Sequence, residues 1–485
     1  MAISIKSIGG MMNEPPTVTN LKAIEIDTFF IKIQYTIHDL EMTYCRQYLI
    51  LNGKKTEITT KGTEIETDTF EYLIEKLNPG TNYNIQIEAS DGHDIAKSDN
   101  LNVNTLNNFI YGFRVNELNS NSSNCVTYTD DAKGMEDKLA TRTSLGGWAN
   151  KWPFNKIRIV GFKNGKVTKE INPNDKTKYI DGTTVPQDVD VMTEMPKIYW
   201  SAKAVTEGSS FDGYEVKISN VKYDDSFDCY AHKVNGAEKD FIYIGCYLGY
   251  VQGDWNTGVV RSINNVSPTC WLDNSNRLNF EWARERCQRV GSGYQMFNWF
   301  TRILLCNLFL LAYKNINSQD ALGRGYVGSN SNNLNYPVTT GGTTKKGIIY
   351  GSSNEEQMCF LGIEDLWGNT SQWIDGIEYK GSGVYADLTN TFKNCSTKIA
   401  NTISSHSSTG YITKVNKTST SLYLAAYCSG SSNLYYSDYC NIYSSYPHFV
   451  SGGYYRQDDQ CGLFFQRTHD YSCNMECARL VYLGE

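Results

Sequence analysis

The 14 cysteines of this chain include no C-x-x-C pair and no cluster with histidine at zinc spacing, which argues against a zinc site. The six histidines (His38, His93, His232, His406, His448 and His469) show neither HExxH nor any paired spacing, so they indicate no metal or triad chemistry. Proline is scarce, 10 in 485 residues, and with 40% hydrophobic and 20% charged residues this excludes a collagen-like or disordered chain. No apolar run is long enough to span a membrane. The most apolar stretch, residues 296–312, is interrupted by Asn298, Arg302 and Asn307 and reads as a buried helix, so no membrane insertion is expected. The opening MAISIKSIGGMMNEPP lacks a signal-peptide core, which points to synthesis in the cytoplasm. A net charge of −7 disfavours nucleic acid as a partner.

Other chemical motifs are weak. Gly323-Arg324-Gly325-Tyr326-Val327-Gly328 satisfies GxGxxG without a strand-to-helix unit around it, so a nucleotide site is not expected. Paired aspartates at 130–131, 224–225 and 458–459 lack calcium-loop spacing and say nothing about carboxylates meeting across a cleft. Bound metal stays an open question, and no cofactor is implied. Cys428, Cys440, Cys461, Cys473 and Cys477 fall at irregular intervals and read, like the rest, as reduced thiols.

A chain of this length needs more than one hydrophobic core. Residues 1–14 are read as an attachment segment. Residues 15–107 alternate apolar and polar side chains with Asn52-Gly53 between two runs, which predicts an antiparallel sandwich. LNPGTNY at 77–83 supplies a turn and a tyrosine placed to close the corner between sheets. The segment resembles a fibronectin type III domain, with Phe30 or Ile31 where the core tryptophan is usual. From residue 108 the composition shifts to Gly, Asn, Ser and Tyr, predicting a large, loop-rich domain with two helices. One covers 279–290, with Phe280, Ala283 and Cys287 inward and Arg284, Glu285 and Arg289 outward; the other covers 294–315 and is apolar nearly all round. The fold class expected is therefore mainly β with an α+β C-terminal part. A β-rich lead-in is placed at 108–240 and a core at 241–485.

The segment GIEDLWGNTSQWIDG at 362–376 resembles the GLxDMxGNxWEW signature of the C-type lectin fold of the formylglycine-generating-enzyme type. Gly362, Asp365, Gly368, Asn369 and Trp373 fill it, Ile363 and Leu366 replace apolar positions, and Ser371 and Gln372 depart from it. FEWARERC at 280–287 and the apolar helix after it take the places of that fold's two helices. Gly452-Gly453, Gly462-Leu463-Phe464 and Ala478-Arg479-Leu480-Val481 match its closing strands. YGFRVNELNSNSSNCVTYTDDAKGM, MPKIYW, YIGCYLG and ALGRGYVG, in this order, give residues 108–485 a resemblance to tail or fibre proteins of Gram-positive phages.

The resemblance implies a virion protein of tail, baseplate or fibre that binds a host cell-surface glycan or protein, contacts other virion subunits and forms a homo-oligomer, as trimers are common in such proteins. The lectin-fold group includes variable proteins diversified by retroelements, the class of the phage major tropism determinant. In keeping with that, residues 418–485 hold eleven of the 34 tyrosines and no lysine, the vocabulary of a binding surface. The residues between the glycine anchors are expected to point outward: Tyr454, Tyr455, Arg456, Gln457, Asp458, Asp459, Gln460, Phe465, Arg467, His469, Asp470, Tyr471, Asn474 and Glu476. They would form the receptor face within 418–482. Two alternatives are a decoration or head-fibre protein that packs on virion subunits, and a thiol oxidase of the formylglycine-generating type. The second is disfavoured because Cys473 and Cys477 are separated by three residues rather than four, and Glu476 opposes an acidic thiol. The chain is read as a binding protein and not an enzyme.

Overall fold

Among the residues described by the computed structural model (13–40, 44–58, 63–64, 66–254, 256–270, 278–328, 336–401, 408–443, 445–469 and 475–484) strands dominate, with three α-helices. The architecture is mainly β with few helices. The chain divides into two compact units, Met1–Asn108 and Phe109–Glu485. Of the expected attachment segment 1–14, all but Asn13 and Glu14 lie outside the described residues.

In the first unit, β1 (Thr17–Ile26), β2 (Ile31–His38) and β6 (Thr67–Ile74) form one sheet in the order β1-β2-β6. The other sheet is built on β3 (Tyr44–Leu51) and β7 (Asn82–Ser90), with β4 (Lys54–Glu57), β5 (Thr63–Glu64), β8 (Ile95–Lys97) and β9 (Leu101–Asn104) on their flanks. Strict alternation in β2 buries Ile31, Ile33, Tyr35 and Ile37, which meet Leu49, Ile85 and Ile87 of the other sheet in one core. Of Phe30 and Ile31, Ile31 is buried in this core and Phe30 is half-buried. Asn52 and Gly53 both adopt positive φ (51° and 82°), as a two-residue hairpin between β3 and β4 requires. The Tyr83 hydroxyl accepts the Asn78 N–H at 2.8 Å, tying the corner where the sequence places it.

The second unit is organised around α2 (Trp299–Tyr313), all fifteen residues of which are buried. Asn298 caps it by accepting the Thr301 N–H at 3.0 Å, and Lys314 ends it in the left-handed region at φ 53°. Its polar members have partners inside: Arg302 donates to the Leu463 carbonyl, and Asn307 accepts the Tyr423 hydroxyl at 2.7 Å. The helix is shorter than the 294–315 expected, because Tyr294–Met296 is a strand paired with the C-terminal strand Leu480–Tyr482. Leu480–Tyr482 also pairs with Phe241–Gly245, so a six-stranded sheet joins residues 158–196 to the end of the chain. One core cluster runs from Tyr111 to Leu483, and no break falls at residue 240 where a lead-in was expected to end.

Helix α1 (Phe280–Gln288) buries Phe280, Ala283 and Cys287 as expected, but Arg284 does not face away. Its guanidinium grips the buried Asp375 carboxylate in two bonds of 2.6 and 2.8 Å. The third helix, α3 (Ser318–Ala321), is a single turn.

The largest sheet has nine strands. Gly462–His469 lies inside it, antiparallel to His448–Gly452 and parallel to Tyr439–Asn441. Ser371–Lys380 continues the sheet on the other side of His448–Gly452 and is paired with Glu476–Cys477.

Candidate functional site

The 362–376 segment forms a buried turn held by its own polar groups. The Asp365 carboxylate accepts from Gln357 Nε2 at 2.7 Å and Asn369 Nδ2 at 2.8 Å, and burial pushes it well above the usual carboxylate range. Arg479 is buried and uses its whole fork: Nε to Gln372 Oε1 (2.6 Å), Nη1 to the Gly245 carbonyl (2.8 Å), and Nη2 to the carbonyls of Glu364 (2.7 Å) and Asp365 (3.0 Å). Gln372, which departs from the lectin signature, therefore supplies an acceptor for the arginine. Trp373 Nε1 donates to the Leu278 carbonyl at 3.2 Å. These residues build the fold and are not a surface.

The turn pins two loops that are far apart in sequence. For the 323–328 loop, Trp367 Nε1 donates to the Gly323 carbonyl at 3.1 Å and the Asn369 N–H to the Tyr326 carbonyl at 2.7 Å. Gly368 has φ 77°, and a Cβ there would sit 2.9 Å from the Tyr326 nitrogen, so only glycine allows this approach. For the 452–461 loop, the Gly368 N–H donates to the Gly452 carbonyl (3.2 Å) and the Tyr455 N–H to the Asn369 carbonyl (3.2 Å). The two loops also join each other directly. Gly328 N–H donates to the Tyr455 carbonyl at 2.7 Å, and Arg324 pairs with Asp458.

Of the fourteen residues expected to face outward, Arg456 and Asp459 are exposed, and Tyr454, Gln457, Asp458, Gln460 and Arg467 are half-buried. Tyr455, Phe465, His469 and Glu476 are buried and correct that expectation. Phe465 and His469 sit on an interior strand covered on both faces, so alternation along it does not give an outer row. Glu476 pairs with Ser371, and Tyr455 is held under the loop by its backbone bonds. Asp470, Tyr471 and Asn474 lie outside the described residues. Among the other C-terminal tyrosines, Tyr423 and Tyr436 are core residues, Tyr436 meeting the Tyr214 hydroxyl at 2.9 Å, whereas Tyr427 and Tyr443 are exposed.

The paired loops contribute residues to two clefts. One, of about 760 Å³, is lined by Tyr326, Val338, Lys345, Lys346 and Tyr350 among others. The other, of about 710 Å³, includes Arg142, Gln319, Asp320, Arg324 and Asp459. Sequence reasoning dismissed Arg324 and Tyr326 with the GxGxxG string and missed the Ser120–Ser123, Arg142 and 317–320 walls. The available signal was the glycine spacing of 323–328, which marks a loop needing close backbone approach rather than a nucleotide cradle.

Among the described residues no thiol site is assembled around Cys477. It is fully buried, 2.8 Å from the Thr370 hydroxyl, and burial pushes its thiol up to about 11, the reverse of an activated thiolate. Its expected companion, Cys473, is outside the described residues. Asp228, Cys229 and Glu238 place ligand-type atoms within 4.8 Å of one another, but Lys233 pairs with Asp228 and Tyr199 with Glu238, so neighbouring side chains already engage the carboxylates.

No family model matches the sequence, and no curated protein matches it. Among solved structures the chain is similar to the PKD domain of an M14-like peptidase from Thermoplasmatales archaeon SCGC AB-540-F20, at 16% identity and a TM-score of 0.16, over 20% of this chain and 99% of that one.

Proposed function

We propose that the protein recognises a cell surface through the paired loops 323–328 and 452–461, acting as a tail, baseplate or fibre subunit of a virion. The observation that carries this reading is that a buried turn anchors a loop that carries half-buried Tyr454 and exposed Arg456 and Asp459, Asp459 lining a cleft. Loops that carry recognition are those positioned by a stiff scaffold, and tyrosine and arginine give contact area and hydrogen bonds at low entropic cost. The resemblance of residues 108–485 to Gram-positive phage proteins supplies the setting. A homo-oligomer would raise avidity by repeating a weak site.

The test is binding of the full chain to a panel of intact Gram-positive cells, beside a Tyr454→Ala/Arg456→Ala double variant of unchanged melting temperature. The expected result is saturable binding by the wild type that falls at least about tenfold in the variant, since truncating an interface anchor costs on the order of 1–2 kcal/mol or more. Equal binding by both proteins would move the receptor face away from these loops. No binding by either would favour a subunit that packs on other virion proteins.

A further inference from the structure

We infer that the 710 Å³ cleft beside the 452–461 loop binds a neutral, polyhydroxylated carbohydrate; this deepens the recognition reading and rests on it. The lining holds two guanidinium groups, Arg142 and Arg324, the latter paired with Asp458, and two carboxylates, Asp320 and Asp459, so it carries no excess of positive charge. The remaining wall is serine, asparagine and glutamine with Leu434 as its one apolar side chain. An anion entering would meet both carboxylates, a cation both guanidiniums, and a lipid or aromatic ligand would find a single apolar side chain, Leu434. A sugar donates and accepts at each hydroxyl and suits such a mixed lining.

The groups left without a protein partner fall on both sides of that exchange. Arg142 makes one bond, from Nη2 to the Asp320 carbonyl at 3.3 Å, leaving most of its fork unengaged. Asn121 accepts through Oδ1 from the N–H groups of Ser123 and Asn124, while its amide donors are unused. On the acceptor side, Asp320 Oδ2 takes the Asn315 amide at 3.0 Å and Asp459 Oδ1 takes the Tyr411 hydroxyl at 2.7 Å, so each carboxylate keeps one oxygen open. Gln319 commits its amide N–H to the Asp459 and Cys461 carbonyls and keeps its Oε1. Adjacent sugar hydroxyls can donate to a carboxylate oxygen and accept from an arginine fork.

The walls are fixed before a ligand arrives. The Tyr435 N–H donates to the Ser120 carbonyl at 2.8 Å, Asn317 Nδ2 to the Ser437 hydroxyl at 3.1 Å, and the Leu463 N–H to the Ser318 hydroxyl at 3.0 Å. Segments near residues 120, 320 and 435 are thereby clamped to one another, and little ordering is left to oppose binding. The volume lies within the range of small-molecule sites and has room for a short oligosaccharide.

The test applies the full chain to an array of neutral and acidic oligosaccharides at low and high salt, then titrates the strongest neutral one into wild type, Arg142→Gln, Asp459→Asn and Tyr454→Ala/Arg456→Ala by calorimetry. The expected result is retention of neutral oligosaccharides with little salt dependence, weakened about tenfold in Arg142→Gln and Asp459→Asn, each of which loses a charge-assisted bond. Melting temperatures should stay unchanged. Neutral binding that is unaffected in both cleft variants overturns the inference, as does retention confined to acidic glycans and abolished by salt. A silent array with cells still bound by the wild type overturns the carbohydrate cleft and leaves the loop reading standing. Failure to bind either glycans or cells removes both.

Discussion

Asn369 is the residue on which both loops depend, and its contribution separates by substitution. Its side chain makes three bonds: Nδ2 to Asp365 Oδ2 (2.8 Å), Nδ2 to the Val338 carbonyl (3.1 Å), and Oδ1 from the Val338 N–H (2.9 Å). At about 1 kcal/mol net for each, loss of the three costs about 3 kcal/mol. The backbone adds to this, because Asn369 has φ 60°, a left-handed conformation that costs alanine about 1 kcal/mol and glycine nothing. Asn369→Ala should therefore destabilise the second unit by about 4 kcal/mol and Asn369→Gly by about 3. Asn369→Asp keeps the acceptor for Val338 but turns an oxygen on the buried Asp365 carboxylate. It should be at least as damaging as alanine at pH 8, where the pair is least protonated. The assay is urea unfolding of the full chain followed by tryptophan fluorescence, which reports the second unit because all nine tryptophans lie beyond residue 108. The reasoning is refuted if Asn369→Ala and Asn369→Gly are indistinguishable, or if either lies within 1 kcal/mol of wild type.

Three further predictions follow from burial. His232 is fully buried and desolvation lowers its pKa from 6.5 to about 4, so the unfolded chain binds the extra proton first as pH falls. Its contribution is complete above pH 6.5 and declines towards pH 4. The His232 share of the second unit's stability should drop by about 1.5 kcal/mol between pH 6.5 and 5, and His232→Gln should make the slope of pH-dependent unfolding shallower by that share, the buried His448, also lowered to about 4, contributing to the rest. The thirteen described cysteines are all free and buried, with Cys125, Cys229, Cys246 and Cys306 pushed up to about 12 by burial. A chromogenic disulfide reagent at pH 8 should then titrate at most one thiol in the native chain, the fourteenth, and all 14 in denaturant. Finally, Arg456→Ser should leave the melting temperature nearly unchanged, whereas Phe465→Ala should cost about 3–5 kcal/mol by thermal unfolding.

Periodicity was informative wherever one face of an element meets solvent. Strand β2 alternates because its sheet is covered on one side, and Asn52-Gly53 and Tyr83 mark a turn and a corner by local chemistry alone. Helix α2 was legible from its apolar run, although its start was misplaced by the strand Tyr294–Met296, whose pairing partner lies almost 190 residues away. The same logic failed on Gly462–His469. Inside a nine-stranded sheet covered on both faces, alternate residues have no outer side, and Phe465 and His469 were assigned to a surface that does not exist there. Arg284 misled for a related reason: its ion pair with Asp375 depends on a residue 91 positions on, which helical spacing does not reveal. The clefts were illegible because their walls are assembled from residues as distant as Ser120 and Asp459.

The bonds that fix the two loops bear on which positions are free to vary. The Gly323, Tyr326, Gly452 and Tyr455 carbonyls and the Gly328 and Tyr455 N–H groups are backbone groups, so these contacts require no loop side chain, and the side-chain contributions are the Arg324–Asp458 ion pair and the Tyr454 N–H that Gln457 accepts. The fixed partners of the backbone groups, Trp367 and the main chain of Gly368 and Asn369, belong to the buried turn. A change of side chain at Tyr454 or Arg456 therefore alters the displayed surface without removing any of these anchoring bonds. A change at Trp367 loosens the 323–328 loop, and one that distorts the turn at Gly368 or Asn369 releases both, with nothing on the surface altered directly. Such a separation between anchor and display suits a recognition surface that must change while the fold beneath it does not. It confines that freedom to the 454–460 loop and its rim, since most of Gly462–His469, rich as it is in aromatic and polar side chains, is part of the anchor.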